Sequence, residues 1–249
     1  MSCPHITIRR SLNGLCLCMT LLFALSAQAE TIQVVTEDSS YSSLENGKVV
    51  GAASELVEKT LAKAGVTDYH MSLYPWARAY DIARLEPNVL IYPIIRSAER
   101  ETLFKWVGEL DEVTPLFYKL RSRHDIVVND LQDAAGYTVG VIRDDARQEY
   151  LERKGFSKMV VSSNNLDNLR KLLSGQVMLV PMPEREARKQ CQDLQIDFEE
   201  LESVYTLDDL SKGLYVAMSA KTPDDVFKRV STAFSRLKDD GTVAKVLAQ

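Results

Sequence analysis

Residues 74–106, YPWARAYDIARLEPNVLIYPIIRSAERETLFKW, carry the pattern from which the rest of the chain can be read. Pro75 stands at a helix start, where its missing N–H costs nothing and its fixed φ suits the first turn. Residues 89–92 are a short apolar run of strand type. Ser97 is a helix N-cap by residue type, and Glu99 falls in the first turn of the helix it would open, where the dipole favours an acid. Arg100 is out of place in that turn, because the free N–H groups already favour anions. An arginine beside a helix N-terminus at the end of a parallel strand makes a site for a carboxylate or phosphate. The competing reading is a solvated arginine paired with Glu99 or Glu101.

Upstream, 31–35 (TIQVV) reads as a β-branched strand, 37–43 (EDSSYSS) as a polar loop and 45–48 (ENGK) as a hairpin turn. Residues 52–64 have helical spacing, with Leu56, Val57, Thr60 and Leu61 on one face and Gly65 as the stop. Residues 69–73 are a second strand. Strand and helix alternate, which predicts a parallel α/β sheet with ligands bound beyond the strand C-termini. Asp38 and Tyr41, Trp76 and Arg78, and Ser97 and Arg100 all follow strands, so three loops point polar and aromatic groups toward one rim.

Downstream, 109–124 (ELDEVTPLFYKLRSRH) reads as an acidic loop, an extended run at 115–120 and a basic patch. A second α/β set follows. It has a short helix start at 129–131, strands at 137–142, 159–161 and 177–180, and helices at 146–153, 166–173 and 184–191. Residues 214–218 are one more strand. Thr222-Pro223-Asp224-Asp225 opens a helix with a cap, a proline and acids in the first turn, and Val226, Val230, Phe234 and Leu237 recur along it at helical spacing. Asp239-Asp240-Gly241 ends it, and a last short helix reaches Leu247.

The 249 residues are 45% hydrophobic and 26% charged, enough for one large or two modest domains with real cores. Residues 1–29 read as a cleaved signal: Arg9-Arg10, an apolar run at 15–25, then Ala27-Gln28-Ala29. The run is too short to span a bilayer, and the rest of a twin-arginine motif is missing, so Sec export to a Gram-negative periplasm is expected. Cys3, Cys16 and Cys18 leave with that segment; neither Cys16 nor Cys18 sits at a lipobox. Cys191 remains alone and can form no internal disulfide. Losing two arginines and no acid takes the net charge from −5 to −7, which with no basic stripe argues against nucleic acid.

The order of elements, with SAER after the third strand, Trp76 at a helix start, LENGKVVGAASELVEKTLAKAG near the beginning and TPDDVFKRVSTAFSRLKDDGTVAKVL at the end, resembles the family 3 extracellular solute-binding proteins. These are the periplasmic receptors of polar amino-acid ABC importers. The resemblance covers essentially the whole mature chain. It implies an α/β, two-lobed periplasmic-binding-protein fold (type II) with two hinge crossover strands, closing on a small ligand. The crossings would fall near 115–120 and 213–218. One lobe would be 30–116 with 219–249, the other 117–218.

The resemblance also implies a site. Arg100 matches the arginine that grips an α-carboxylate, Ser97 the hydroxyl residue beside it, and Ile95 a position offering backbone groups. Tyr41 and Trp76 match the two aromatics that sandwich the ligand, and Asp38 an acid before the first of them. Two departures stand out. Asp144-Asp145 occupies the place of a Gly-Thr pair, and Pro183 the place of an aspartate that takes the α-ammonium, with Glu184 next to it. Glu184 could replace that aspartate, or Asp145 could bind a cationic or hydroxylated group. Arg78 is an extra cation that could grip a second anion or pair with Asp81 or Glu86.

Taken alone, Tyr41 and Trp76 read as readily as packing aromatics. Asp144-Asp145 as a catalytic pair is disfavoured, because adjacent residues seldom face one pocket. The sequence has no HExxH, P-loop, GxSxG or GxGxxG, so no metal and no cofactor is expected. The expected function is capture of a small polar, carboxylate-bearing solute by a monomer serving an ABC permease in the inner membrane. A ligand sensor for a membrane receptor and a dehydratase- or lyase-like enzyme on the same scaffold are the alternatives; the latter needs Glu184 or Asp145 as an acid or base.

Overall fold

The β-branched run at 31–35 becomes Ile32–Thr36 (β1), a strand buried on both faces. The computed structural model describes residues 31–210 and 212–248; the expected signal at 1–29 lies outside the described residues. A hairpin of Ser43–Glu45 (β2) and Lys48–Val50 (β3) turns at Asn46-Gly47, both with positive φ. Helix Ala52–Lys63 (α1), strand Tyr69–Leu73 (β4), helix Trp76–Leu85 (α2) and strand Val89–Ile95 (β5) follow. Pro75 sits immediately before α2 with φ −54°, as its ring dictates. Trp76, Ala79, Tyr80 and Ala83 give α2 one buried stripe.

Next come Phe104–Val113 (β6), Leu116–Leu120 (β7), Leu131–Ala134 (α3), Val139–Ile142 (β8), Ala146–Arg153 (α4), Met159–Ser162 (β9) and Asn165–Leu173 (α5). Then follow Val180–Met182 (β10), Glu184–Leu194 (α6), Leu201–Thr206 (β11), Lys212–Ser219 (β12), Asp224–Asp239 (α7) and Thr242–Leu247 (α8).

One sheet has the order β4-β1-β5-β12-β6. β1 pairs parallel with β4 and β5, whereas β12 runs antiparallel to β5 and β6. Alternation along the strands feeds two cores. Val34, Leu90 and Tyr92 join a cluster with α1, α7 and α8. Val35, Val89 and Ile91 join a cluster with α2 on the other face. Where β5 meets β12, Ile91–Ile94 opposes Ala217–Tyr215, an extra residue on β5. Past that irregularity Ile94 packs on the α2 side and Ile95 on the other.

A second assembly has the three-stranded order β10-β7-β11 and a parallel pair, β8-β9. β7 again divides two cores, Phe117 facing one and Tyr118 the other. The chain passes from the first assembly to the second at Thr114-Pro115 and returns after Thr206. The Leu207 N–H donates to Pro115 O at 2.9 Å, tying the two passages together.

Several expectations are corrected. No helix forms at Ser97. Successive turns run through 98–103 instead, with the N–H of Arg100 bonded to Ser97 O and that of Leu103 to Arg100 O. β5 and β6 flank β12, and residues 96–103 must carry the chain from the Leu214 level of β12 back to the Ser219 level. A helix rises about 1.5 Å per residue, too little for that return in so few residues. The acidic stretch at 109–113 is not a loop but the end of β6, an edge strand, where charge guards against unwanted pairing. Residues 213–218, expected as the second crossing, lie inside β12 and pair with β5 and β6 of the first sheet. β11 has no counterpart in the sequence reading.

Candidate functional site

The loop after β1 is tied by its own serines. Ser42 Oγ donates to Glu37 O at 2.7 Å and lies 2.9 Å from Thr36 Oγ1, and Ser39 and Ser42 pair through their backbones. Gly51, at φ 116°, lets the Tyr41 carbonyl approach: a Cβ there would lie 2.5 Å from Tyr41 O. The loop thereby presents Glu37, Ser39, Ser40 and Tyr41 to a small cavity of about 70 Å³, the space open to the centre of a water molecule. Since one water needs roughly 10–15 Å³ by this measure, the cavity suits a compact solute. Trp76, Pro93, Ile95, Arg100, Val113 and Leu214 complete the wall from the first assembly, and Asp145, Arg147, Asn165, Pro183 and Glu186 face them from the second.

Arg100 is 1% exposed. Its Nη2 donates to Asp144 O at 3.0 Å and to Glu149 Oε1 at 3.0 Å, while its Nε has no hydrogen-bond partner. Its guanidinium lies 4.9 Å from the Tyr80 ring centroid and 5.6 Å from that of Trp76. Neither Glu99 nor Glu101 is its partner: Glu99 pairs with Arg153 and Glu101 with Arg96. Trp76 stacks on Tyr80 and donates its Nε1–H to the same Asp144 carbonyl at 2.9 Å. Asp144 can present that carbonyl because it adopts the left-handed conformation, φ 58°, which glycine reaches more cheaply.

Asp145 caps α4, accepting from the Arg147 N–H at 2.8 Å, and its carboxylate takes Arg147 Nε at 2.6 Å and Nη2 at 3.1 Å. Burial pushes the Asp145 carboxyl up, but the Arg147 charge and hydrogen bonds outweigh it, so it sits below the usual carboxylate range. Arg147 also donates to Pro181 O at 3.0 Å. Glu186, on α6, reaches across the cleft to accept the Ser40 N–H at 2.8 Å, and it takes Gln190 and Asn165 on its other oxygen. Tyr41 donates to Asp111 at 2.7 Å and carries the Arg185 guanidinium over its ring. Burial, then the Asp111 hydrogen bond and charge, raise its phenol well above the ordinary value.

Glu37 stands apart. It is 9% exposed, and its Oε2 has no partner. Burial first, and then the charges of Asp145, Glu186 and Asp38 against Arg147, push its carboxyl up to about 8.

Of the residues expected from sequence, Tyr41, Trp76, Ile95, Arg100 and Asp145 meet at the cavity. Asp38, Arg78, Ser97 and Glu184 do not line it. Asp38 faces Lys189 at 3.3 Å. Arg78 is exposed and lies over Tyr74 at 4.4 Å, while Asp81 pairs with Arg84. Glu184 is exposed and pairs with Arg188, so it does not replace the missing aspartate. Of the two acids named for catalysis, Glu184 points away from the cavity, while Asp145 lines it with its carboxylate taken up by Arg147. Cys191 is buried, and burial raises its thiol to about 11, which keeps it unreactive. Glu37, Arg147, Asn165 and Glu186 were missed. EDSSY gives no sign of which acid turns inward, and Arg147 and Glu186 read as ordinary charged helix positions.

No family model matches the sequence, and no curated protein does. Solved structures do resemble the fold. A histidine kinase sensor domain with similarity to periplasmic binding proteins aligns with TM-score 0.78 and 19% identity, covering 88% of this chain and 95% of that one. The arginine-, lysine-, histidine-binding protein ArtJ from Geobacillus stearothermophilus aligns with TM-score 0.74 and 16% identity over 87% and 93%. The amino acid ABC transporter substrate-binding protein AbpA of Streptococcus pneumoniae, bound to L-arginine, aligns with TM-score 0.71 and 19% identity over 88% and 93%. The chain therefore has the two-lobed periplasmic-binding-protein fold, and the cavity lies between its lobes. Among the described residues no helix is long and apolar enough to cross a membrane.

Proposed function

We propose that the protein captures a small polar, carboxylate-bearing solute, an amino acid or a related compound, by closure of its lobes. It acts in the periplasm after loss of residues 1–29, as a monomer, and delivers the solute to an ABC permease in the inner membrane. One lobe comprises 31–114 and 212–248, the other 115–206. Tyr41 and Trp76 wall the solute, and Arg100 receives its carboxylate.

Arg100 carries this reading. A guanidinium removed from water needs anionic or carbonyl partners, and this one keeps a buried Nε donor with no partner beside the cavity. Likeness of fold to substrate-binding proteins of amino-acid ABC transporters supports the same reading. A thermal-shift panel of amino acids, organic acids and polyamines identifies the solute, because a ligand that binds only the folded state raises Tm. Arg100→Ala should abolish the shift given by a carboxylate solute. A solute recovered unchanged from the complex fits capture, and turnover would point to an enzyme.

The likeness to a histidine kinase sensor domain favours a second reading, presentation of the solute to a membrane receptor. Permease and ATPase genes beside this one favour import. A receptor response that depends on the loaded protein favours sensing.

A further inference from the structure

We propose that Glu37 forms a second recognition point in the cavity, at which its carboxylate receives a protonated amine or guanidine group of the solute. The proposal rests on the solute-capture reading and narrows it to solutes that carry a cation. Three observations support it.

The first is an unmet hydrogen bond. Glu37 is 9% exposed and lines the cavity, and its Oε2 has no partner. Buried polar atoms are nearly always satisfied, so an orphan carboxyl oxygen on a cavity-lining residue marks a place for a hydrogen-bonding partner. The second is charge. Three carboxyls line the cavity, those of Glu37, Asp145 and Glu186, against two guanidiniums, those of Arg100 and Arg147, and Glu149 reaches Arg100 from outside the lining. Asp145 is matched by Arg147 and Glu149 by Arg100. Glu186 is satisfied by neutral donors, namely Ser40 N–H, Asn165 and Gln190. Glu37 is therefore the lining carboxyl that has no guanidinium of its own and keeps an oxygen without a partner. The third is position. Pro183, before α6, brings no charge to the cavity, and Glu184 turns outward to Arg188, so the second lobe offers no free acid there. Glu37 supplies one from the first lobe.

A consequence follows for protons. The groups acting on Glu37 are Asp145 and Arg147 of α4, Glu186 of α6 and Asp38 of its own loop. In the empty cavity burial and the three acids, against the opposing charge of Arg147, keep the carboxyl protonated up to about pH 8. A cation at Oε2 favours the carboxylate, so binding expels that proton. The bound state holds fewer protons than the free state, so affinity for a cationic solute rises with pH toward about 8 and levels off above it.

The test uses the full mature chain with defined probes: L-arginine, L-lysine, putrescine (cation only) and succinate (anion only). Thermal unfolding is followed at pH 6.5 and pH 8.5 for the wild type, Glu37→Gln and Arg100→Ala. The expected result is a Tm increase with at least one amine- or guanidine-bearing probe, larger at pH 8.5, that Glu37→Gln removes. Calorimetry of that probe in buffers of different ionisation enthalpy should report close to one proton released per solute at pH 7, and none for the variant. Glu37→Gln replaces a protonated carboxyl by a neutral amide of similar shape, so its ligand-free Tm near neutral pH serves as the folding control. Unchanged cation binding or proton release in Glu37→Gln overturns the proposal. A succinate response lost in Arg100→Ala, with no response to any cationic probe, overturns it too while leaving solute capture standing. No response to any probe overturns both.

Discussion

Arg100 Nη2 lies 3.0 Å from Glu149 Oε1, so the guanidinium proposed to hold the solute's carboxylate already holds one from the opposite lobe. The arginine is 1% exposed on its side chain and the glutamate 29%. The Asp144 carbonyl joins Arg100 and Trp76 at the same point. Together with Ser40–Glu186 and Asp38–Lys189 these contacts span the cleft directly. The lobes thus close on one another through the groups that would receive a solute, and Glu149 stands where a solute carboxylate would compete.

Glu149→Gln tests that competition. A hydrogen bond between charged groups contributes about 1.5–3 kcal/mol. Removing the glutamate charge should strengthen binding of a carboxylate probe by roughly tenfold and lower the ligand-free Tm, because Arg100 is left less well paired. Titration of wild type and variant with the same probe checks it. Equal affinities would mean that the pair does not compete with the solute.

The Asp145–Arg147 pair is buried and bidentate. Asp145→Asn should cost about 3–5 kcal/mol by leaving an unmatched buried guanidinium. Arg147→Met added to it should recover most of the loss, since the charge and its absent partner leave together. Urea unfolding of the three proteins measures this, and an additive double variant would contradict the pairing.

Stability without ligand should fall as pH rises through the Glu37 range. Its folded-state pKa of about 8 lies above the 4.5 of a free glutamate, so the folded state binds the proton more tightly. That contribution is fully present below 4.5 and is lost as pH climbs to about 8. The change amounts to a few kcal/mol at most. Asp145 acts in the opposite sense, since its pKa is depressed and its contribution is lost only in acid. Unfolding free energies between pH 5 and pH 9 should therefore decline, and Glu37→Gln should flatten the decline.

Gly51→Ala should cost about 1–3 kcal/mol and weaken solute binding, because the new Cβ meets the Tyr41 carbonyl at a φ that side chains avoid. Chemical denaturation and a probe titration check both effects. A variant of wild-type stability would show that the Tyr41 loop adapts freely.

Local pattern carried the sequence reading furthest where the period matches the element. The α1 face at Leu56, Val57, Thr60 and Leu61, the α7 stripe from Val226 to Leu237, and the Pro75 and Pro223 starts are written in spacing and residue type. Ser97 misled because an N-cap is a local signal, whereas the turn geometry there is set by the distance between β5 and β6 across β12. The acids of β6 misled because charge on an edge strand looks like a loop. Arg100 was legible as an anomaly of charge. Its partner Glu149 was not, because the two lie on opposite lobes. Nor was Glu37, whose neighbours Asp145, Arg147 and Glu186 come from two distant helices.

The most direct test is calorimetric titration of the tightest-binding carboxylate solute from the thermal-shift panel into the wild type and Arg100→Ala. Capture through Arg100 predicts affinity at least about 100-fold weaker in the variant, a loss of some 2.7 kcal/mol, with an intact circular-dichroism spectrum. Unchanged affinity in a folded Arg100→Ala protein would contradict it.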